Sequence, residues 1–91
     1  MNEKEQAVVT VVGKNDIGIL ARVATEVAEA RASIIQVSQQ VMDEFFTMSM
    51  LIDIGSMKGD IQGLEKALND KLPGMEIHVM HENIFSSMHS I

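Results

Sequence analysis

The segment that most constrains the fold is 7–30, where an apolar run passes through a short glycine-bounded loop into an amphipathic helix. Residues Ala7–Val12 are β-branched and almost wholly apolar, which is typical of a central strand covered on both faces. After the loop, Asp16 is the predicted N-cap of a helix. Its apolar residues recur at helical spacing, as Leu20, Val23, Ala24, Val27 and Ala28. A helix start leaves backbone N–H groups unpaired, so the loop encloses a hollow suited to a carboxylate or another anion.

The next 25 residues predict an antiparallel pair of strands. In 33–41, Ile35, Val37 and Val41 fall on one face. Asp43-Glu44 makes a polar turn, and strict alternation then runs from Phe45 to Ile54. Two strands this close in sequence are expected to form a hairpin.

The remaining chain predicts a second helix, a fourth strand and a tail. Asp60 can cap the helix, and Pro73-Gly74 ends it. Its inward residues are Ile61, Leu64, Ala67, Leu68 and Leu72. The last strand has Met75, Ile77 and Val79 on its inward face, and the tail carries Ile84, Phe85, Met88 and Ile91 at helical spacing.

The element order is βαββαβ, so we expect an α+β, ferredoxin-like fold with a four-stranded antiparallel sheet. Both helices lie on one face, and a short helical tail follows. The expected divisions are a polar N-terminal segment at 1–6, one domain at 7–81 and the tail at 82–91. The other sheet face would present Ile34, Phe45, Leu51 and Met80, which favours a subunit interface there over an ordinary surface.

Composition excludes several function classes. The 91 residues include 13 acidic and seven basic side chains, a net charge of −6 that argues against nucleic-acid binding. The absence of cysteine removes disulfides, thiolate catalysis and cysteine-type zinc sites. The N-terminus is unlike a secretory signal, and no apolar run would span a bilayer, so we expect a cytoplasmic protein without membrane contact.

The loop does not match the known phosphate-binding motifs. Gly13 and Gly18 bound four residues, but Ile19 and Leu20 stand where a Walker motif needs Lys and Ser/Thr. The GxGxxG spacing of dinucleotide-binding proteins is also missing.

The wider context resembles the opening of an ACT domain. In that family the loop commonly reads Asp/Asn-Arg-Pro-Gly-Leu-Leu, and a strand beginning Asn-Ile follows the helix. Here Asn15 and Gly18 match, Ile19-Leu20 matches in character, and Ser33-Ile34 falls at the strand start. Asp16 and Ile17 stand at the Arg-Pro positions. Residues 42–46 and 81–89 resemble more narrowly the small stand-alone ACT proteins related to the ACT halves of the glycine cleavage repressor.

The resemblance implies a non-catalytic regulatory module that binds a small ligand, an amino acid, at a homodimer interface. Asn15 and the partner copy's Ser33 would hold its polar end, and the N–H groups of Asp16 to Ile19 would hold its carboxylate. The candidate site comprises Gly13, Lys14, Asn15, Asp16, Ile17, Gly18, Ile19, Ser33 and Ile34. We expect no cofactor. The alternative is a protein-interaction module that uses the outer sheet face and the tail, with no small ligand.

Other polar residues are weaker candidates. His78 and His81 should point to opposite faces of one strand, so they cannot share a metal ion, while His81 with His89 could do so only if the tail folds back. Surface or hydrogen-bonded histidines are the favoured interpretation, and no metal site is predicted. The scattered carboxylates fit helix capping, and no serine has an evident base beside it. We therefore predict no catalytic site.

Overall fold

A computed structural model describes residues 5–88 and has the predicted ferredoxin-like order, with the tail as a third helix. The elements are β1 (Gln6–Lys14), α1 (Ile19–Glu29), β2 (Ser33–Met42), β3 (Phe45–Asp53), α2 (Ile61–Lys71), β4 (Glu76–His81) and α3 (Glu82–Met88). The four strands lie in the order β2-β3-β1-β4, and every neighbouring pair is antiparallel. The fold class predicted from the sequence is confirmed.

The core lies between the sheet and the first two helices. Alternate residues of β1 and β3 face the helices and are buried, and for β3 this is the alternation predicted from the sequence. α1 contributes Ile19, Val23 and Val27, while the predicted Ala28 is exposed. α2 contributes Leu64 and Leu68, followed by Leu72. The buried stripe of α1 is thus shifted by about one residue from the predicted one.

A β-bulge in β2 corrects the predicted orientation of Ile34. The register between β2 and β3 shifts between Ile34 and Gln36, so Ile35 is the extra residue. Ile34 lies opposite the buried Ile52, on the helix-facing side rather than the outer side. Simple alternation fails here because an added residue reverses the faces on one side of the bulge.

The two main helices begin differently. Asp60 is the N-cap of α2, as predicted, and its carboxylate accepts the Gly63 N–H at 2.8 Å. The N-cap of α1 is Gly18 rather than Asp16, and no side chain caps this helix. Gly18 has a φ of 72°, a conformation that glycine adopts without steric cost. The prediction for Asp16 was wrong because Gly18, two residues later, makes the turn into the helix.

The third helix lies against the outer face of the sheet. Phe85 lines a hollow of about 320 Å³ there with Val8 and Leu51, and Val8 is only 6% exposed. β1 is therefore covered on both faces at Val8, while Val12 towards its other end is exposed. The tail thus covers part of the face that the sequence left open. Ile91 and His89 lie outside the described residues, and no helix within 5–88 is long and apolar enough to cross a membrane.

Candidate ligand site at the start of the first helix

The loop between β1 and α1 is tied to the neighbouring hairpin. The Asn15 N–H donates to the Glu44 carbonyl at 2.8 Å, in the turn between β2 and β3. The Ile17 N–H donates to the Asp16 carboxylate at 2.7 Å. Both amides therefore already have partners, and one of them, the Ile17 amide, was among the donors predicted to hold the ligand.

Four later amides remain open. Within residues 5–88 no group accepts from the N–H groups of Gly18, Ile19, Leu20 and Ala21, and the first helical bond runs from the Arg22 N–H to the Gly18 carbonyl. The first turn of α1 also contains no acidic residue. The positive end of the helix is therefore available to an anion, two residues further along than the sequence suggested.

Arg22 of α1 contacts two residues of the loop, Asp16 and Ile17. The Arg22 guanidinium donates to the Ile17 carbonyl at 3.0 Å and lies 3.6 Å from the Asp16 carboxylate. Both side chains are largely exposed, so the ion pair itself adds little stability. The contacts do hold a carboxylate beside the helix start.

Two hollows flank this loop. The first, called here the edge hollow, has a volume of about 340 Å³ and opens towards the end of β2. It is lined by Asp16, Gly18, Ile19, Leu20, Ala21, Gln39, Gln40, Val41 and Phe46. The second, called the turn hollow, has about 370 Å³ and is lined by Lys14, Asn15, Asp16, Ile19, Arg22 and the residues 72–75. The open amides of α1 belong to residues that line the edge hollow.

The structure distributes the predicted site residues over five places. Gly18 lines the edge hollow, Lys14 and Asn15 line the turn hollow, and Asp16 and Ile19 border both. Ile17 lies at the loop tip and is 89% exposed. Gly13 lies within β1, where a Cβ atom would meet the Met75 sulfur at 2.6 Å, so its role is close packing.

Ser33 and Ile34 lie far from the loop in the same chain. They begin β2, whereas the edge hollow adjoins residues 39–41 near the end of that strand. A strand rises about 3.3 Å per residue, so the two ends of β2 are about 30 Å apart. Within one chain, these two residues are not part of either hollow.

Sequence reasoning missed the wall that β2 and β3 contribute. Gln39 and Val41 face the helix side of the sheet, opposite Met48 and Phe46 of β3. The signal was present in the topology, because a hairpin next to β1 brings the end of β2 to the same edge as the loop. Arg22 was also missed, since a charged residue on a helix surface gives no sign of folding back to a carbonyl five positions earlier.

His78 and His81 contact neighbouring carboxylates rather than each other. His78 lies 3.4 Å from the Glu65 carboxylate and 3.2 Å from that of Glu76. His81 contacts Glu5 at 3.3 Å and accepts the Asn83 N–H at 3.2 Å. In the part of the chain that the structure describes, no group of three or more such side chains is placed to hold a metal ion.

Comparison with known proteins identifies the family. The ACT domain family model matches residues 5–82. A UPF0237 protein of Methanococcus maripaludis is 43% identical over 90 residues, which cover 96% of this chain and 99% of the relative. An ACT domain protein from Streptococcus pneumoniae superposes with a TM-score of 0.75 at 34% identity, covering 91% of this chain and 96% of the other.

A putative glycine cleavage system transcriptional repressor shares the fold. It superposes with a TM-score of 0.69 at 21% identity, covering 88% of this chain and 47% of that protein. The similarity to the stand-alone proteins is closer and extends over almost the full length of both chains. The chain therefore belongs to the ACT-domain family of regulatory ligand-binding modules and, within it, to the UPF0237 proteins.

Proposed function

We propose that the chain is a non-catalytic sensor that binds a free amino acid between two copies of itself. The observation that carries this proposal is the edge hollow. The four residues whose backbone N–H groups are open at the start of α1 all line it. The ligand carboxylate would accept from these N–H groups, where the positive end of the helix dipole favours an anion. Its ammonium group would lie towards the Asp16 carboxylate, which borders the same hollow.

The second copy is proposed because β2 is an open edge strand. All ten of its residues are exposed, and within residues 5–88 only β3 pairs with it. Exposed edges with apolar side chains readily pair with another strand. Antiparallel pairing of two β2 strands about their centre would bury Val37 of both copies.

The same pairing would complete the site. If two β2 strands run antiparallel about a two-fold axis, Ser33 of the second copy comes beside Met42, at the end of the strand that borders the edge hollow. The two ends of β2 are about 30 Å apart within one chain, but this separation does not matter because Ser33 comes from the other copy. This geometry supports the role that the family resemblance implies for Ser33.

Isothermal titration calorimetry with the twenty amino acids at millimolar concentration tests the proposal. For the amino acid that binds, Ser33→Ala and Asp16→Asn should each lower the affinity about tenfold or more, since a hydrogen bond to a charged group contributes about 1.5–3 kcal/mol. Asn15→Ala tests the role implied by the resemblance, because Asn15 borders the turn hollow instead. Ser87→Ala and Asp70→Asn, at exposed positions away from the loop, are the matched controls.

Two results would contradict parts of this proposal. If no amino acid produces heat or a shift in the unfolding temperature, the ligand proposal is wrong. If binding occurs and Ser33→Ala has no more effect than Ser87→Ala, the second copy does not complete the site.

A further inference from the structure

We infer that the edge hollow receives the side chain of an aliphatic or thioether amino acid, namely valine, leucine, isoleucine or methionine. This inference rests on the proposed function and narrows it to a ligand class. It follows from the walls of the hollow, its charges and its size.

About half of the wall surface is apolar, and part of that apolar surface is uncovered. Ile19 and Phe46 form a buried floor, while Leu20 is half-buried and Val41 is 52% exposed. Ala21 completes this side of the hollow with a single methyl group. Covering water-exposed apolar surface with an apolar group lowers the free energy of the complex. A ligand with an aliphatic side chain supplies such a cover, whereas glycine or serine leaves the walls wet.

The charge of the lining residues disfavours a ligand whose side chain is itself charged. Among the described residues that line the edge hollow, Asp16 is the only charged one, and Lys14 and Arg22 border the turn hollow instead. A second carboxylate on the ligand would lie near Asp16, whose neighbouring Arg22 is already paired with it and with the Ile17 carbonyl, which disfavours aspartate and glutamate. A lysine or arginine side chain would place its charge against Leu20 and Val41, where it loses hydration.

Gln39 adds an amide group to the lining of the hollow. It lies in the helix-facing row of β2 between Val37 and Val41, opposite Met48. Its side chain makes no hydrogen bond to the rest of residues 5–88. An amide at this place can bond the ligand's ammonium or carboxylate group and so orient the side chain towards the apolar wall.

The volume fits a whole amino acid of this class. About 340 Å³ lies at the lower end of the range of about 300–1,000 Å³ that small-molecule pockets occupy. One methylene in an apolar pocket changes affinity by about tenfold or more. Leucine should therefore bind at least about tenfold more tightly than alanine, and more tightly still than glycine.

Calorimetry on the full chain tests this inference with leucine, isoleucine, valine and methionine against glycine, serine, aspartate and lysine. The first four should bind at least about tenfold more tightly than the others. Ala21→Leu should fill the hollow and weaken leucine binding at least tenfold. Ala28→Leu is the matched control, because Ala28 is exposed on the same helix outside the hollow, and it should leave binding within about twofold.

A second pair of variants changes the polarity of the wall of the edge hollow without changing its volume. Val41→Thr keeps the shape of the wall and adds a hydroxyl, so it should weaken leucine binding several-fold, about threefold to tenfold. Val12→Thr, at an exposed position on the outer face of β1, should have no effect.

Each outcome decides one of two questions. If a small or charged amino acid binds best, or if Ala21→Leu and Val41→Thr both match their controls, the inference is overturned while the proposed sensor function stands. If no amino acid binds at all, the proposed function itself fails. Tight binding of an aliphatic amino acid that both variants weaken supports the inference.

Discussion

Gly13 and Met75 are packed so closely that a side chain at position 13 would force the Met75 side chain to move. A Cβ atom added at Gly13 would lie 2.6 Å from the Met75 sulfur and 3.3 Å from the Gly74 carbonyl oxygen. This contact joins the end of β1 to the turn that precedes β4, directly before the loop of the candidate site. The first glycine of the loop thus serves packing, and only Gly18 serves the helix start.

The contact predicts coupling between the two residues. Gly13→Ala should lower the free energy of unfolding by about 1–3 kcal/mol, because the added methyl overpacks this point. In a Met75→Ala background the same change should cost less than about 1 kcal/mol, since the obstructing sulfur is gone. Urea unfolding of the four proteins of this double-mutant cycle measures the coupling. Equal costs in both backgrounds would contradict the packing argument.

The Asp60 cap predicts a specific loss of stability. Its carboxylate accepts the Gly63 N–H at 2.8 Å, so Asp60→Ala should lower the free energy of unfolding by about 1 kcal/mol. Asp70→Ala is the control, because its exposed ion pair with Lys66 within the same helix contributes about 0.5 kcal/mol or less. If urea unfolding gives the two variants equal costs, the cap is not contributing as the geometry indicates.

The third helix predicts contrasting effects of two neighbouring residues. Phe85 faces the sheet beside Val8, whereas Ile84 is 55% exposed. Phe85→Ala should lower the free energy of unfolding by about 1–3 kcal/mol, and Ile84→Ala should change it by less than about 0.5 kcal/mol. Thermal unfolding followed by circular dichroism compares them. The opposite order would mean that α3 docks through its other face.

The exposed edge of β2 predicts the effect of a charge at its centre. Val37→Lys should convert a dimer to a monomer, because a lysine at the middle of an edge strand opposes pairing with a second copy. Gln62→Lys, on an exposed face of α2, is the charge-matched control and should remain dimeric. Light scattering after size-exclusion chromatography measures the mass of each. A wild-type monomer, or a dimeric Val37→Lys protein, would contradict the proposed interface.

Much of the fold could be predicted because local patterns agree with the final packing. The alternation from Phe45 to Asp53 places its apolar members against the helices, as the structure has them. Asp60 and Pro73-Gly74 mark the ends of α2, and these signals depend on backbone hydrogen bonds within a few residues. Such features need no knowledge of distant parts of the chain.

The errors arise where a neighbouring element decides the outcome. Ile34 faces the helices because a bulge at Ile35 adjusts β2 to its partner strand, and nothing in the alternation marks the extra residue. The Asn15 amide is occupied because the hairpin turn at Glu44 approaches the loop from 29 positions away in sequence. A sequence pattern lists the donors of a loop, and only packing shows which of them remain open.

The sequence by itself determined the order of the elements, the family and the segment that holds the candidate site, since these follow from hydrophobic period, capping residues and the Asn15–Gly18 loop. Tertiary structure alone decided which amides face the edge hollow and that Gln39 and Val41 form its second wall. It also showed that Ser33 lies at the opposite end of β2 from that hollow. The reason is physical: a hollow between elements distant in sequence is defined by their register and packing, which local patterns do not encode.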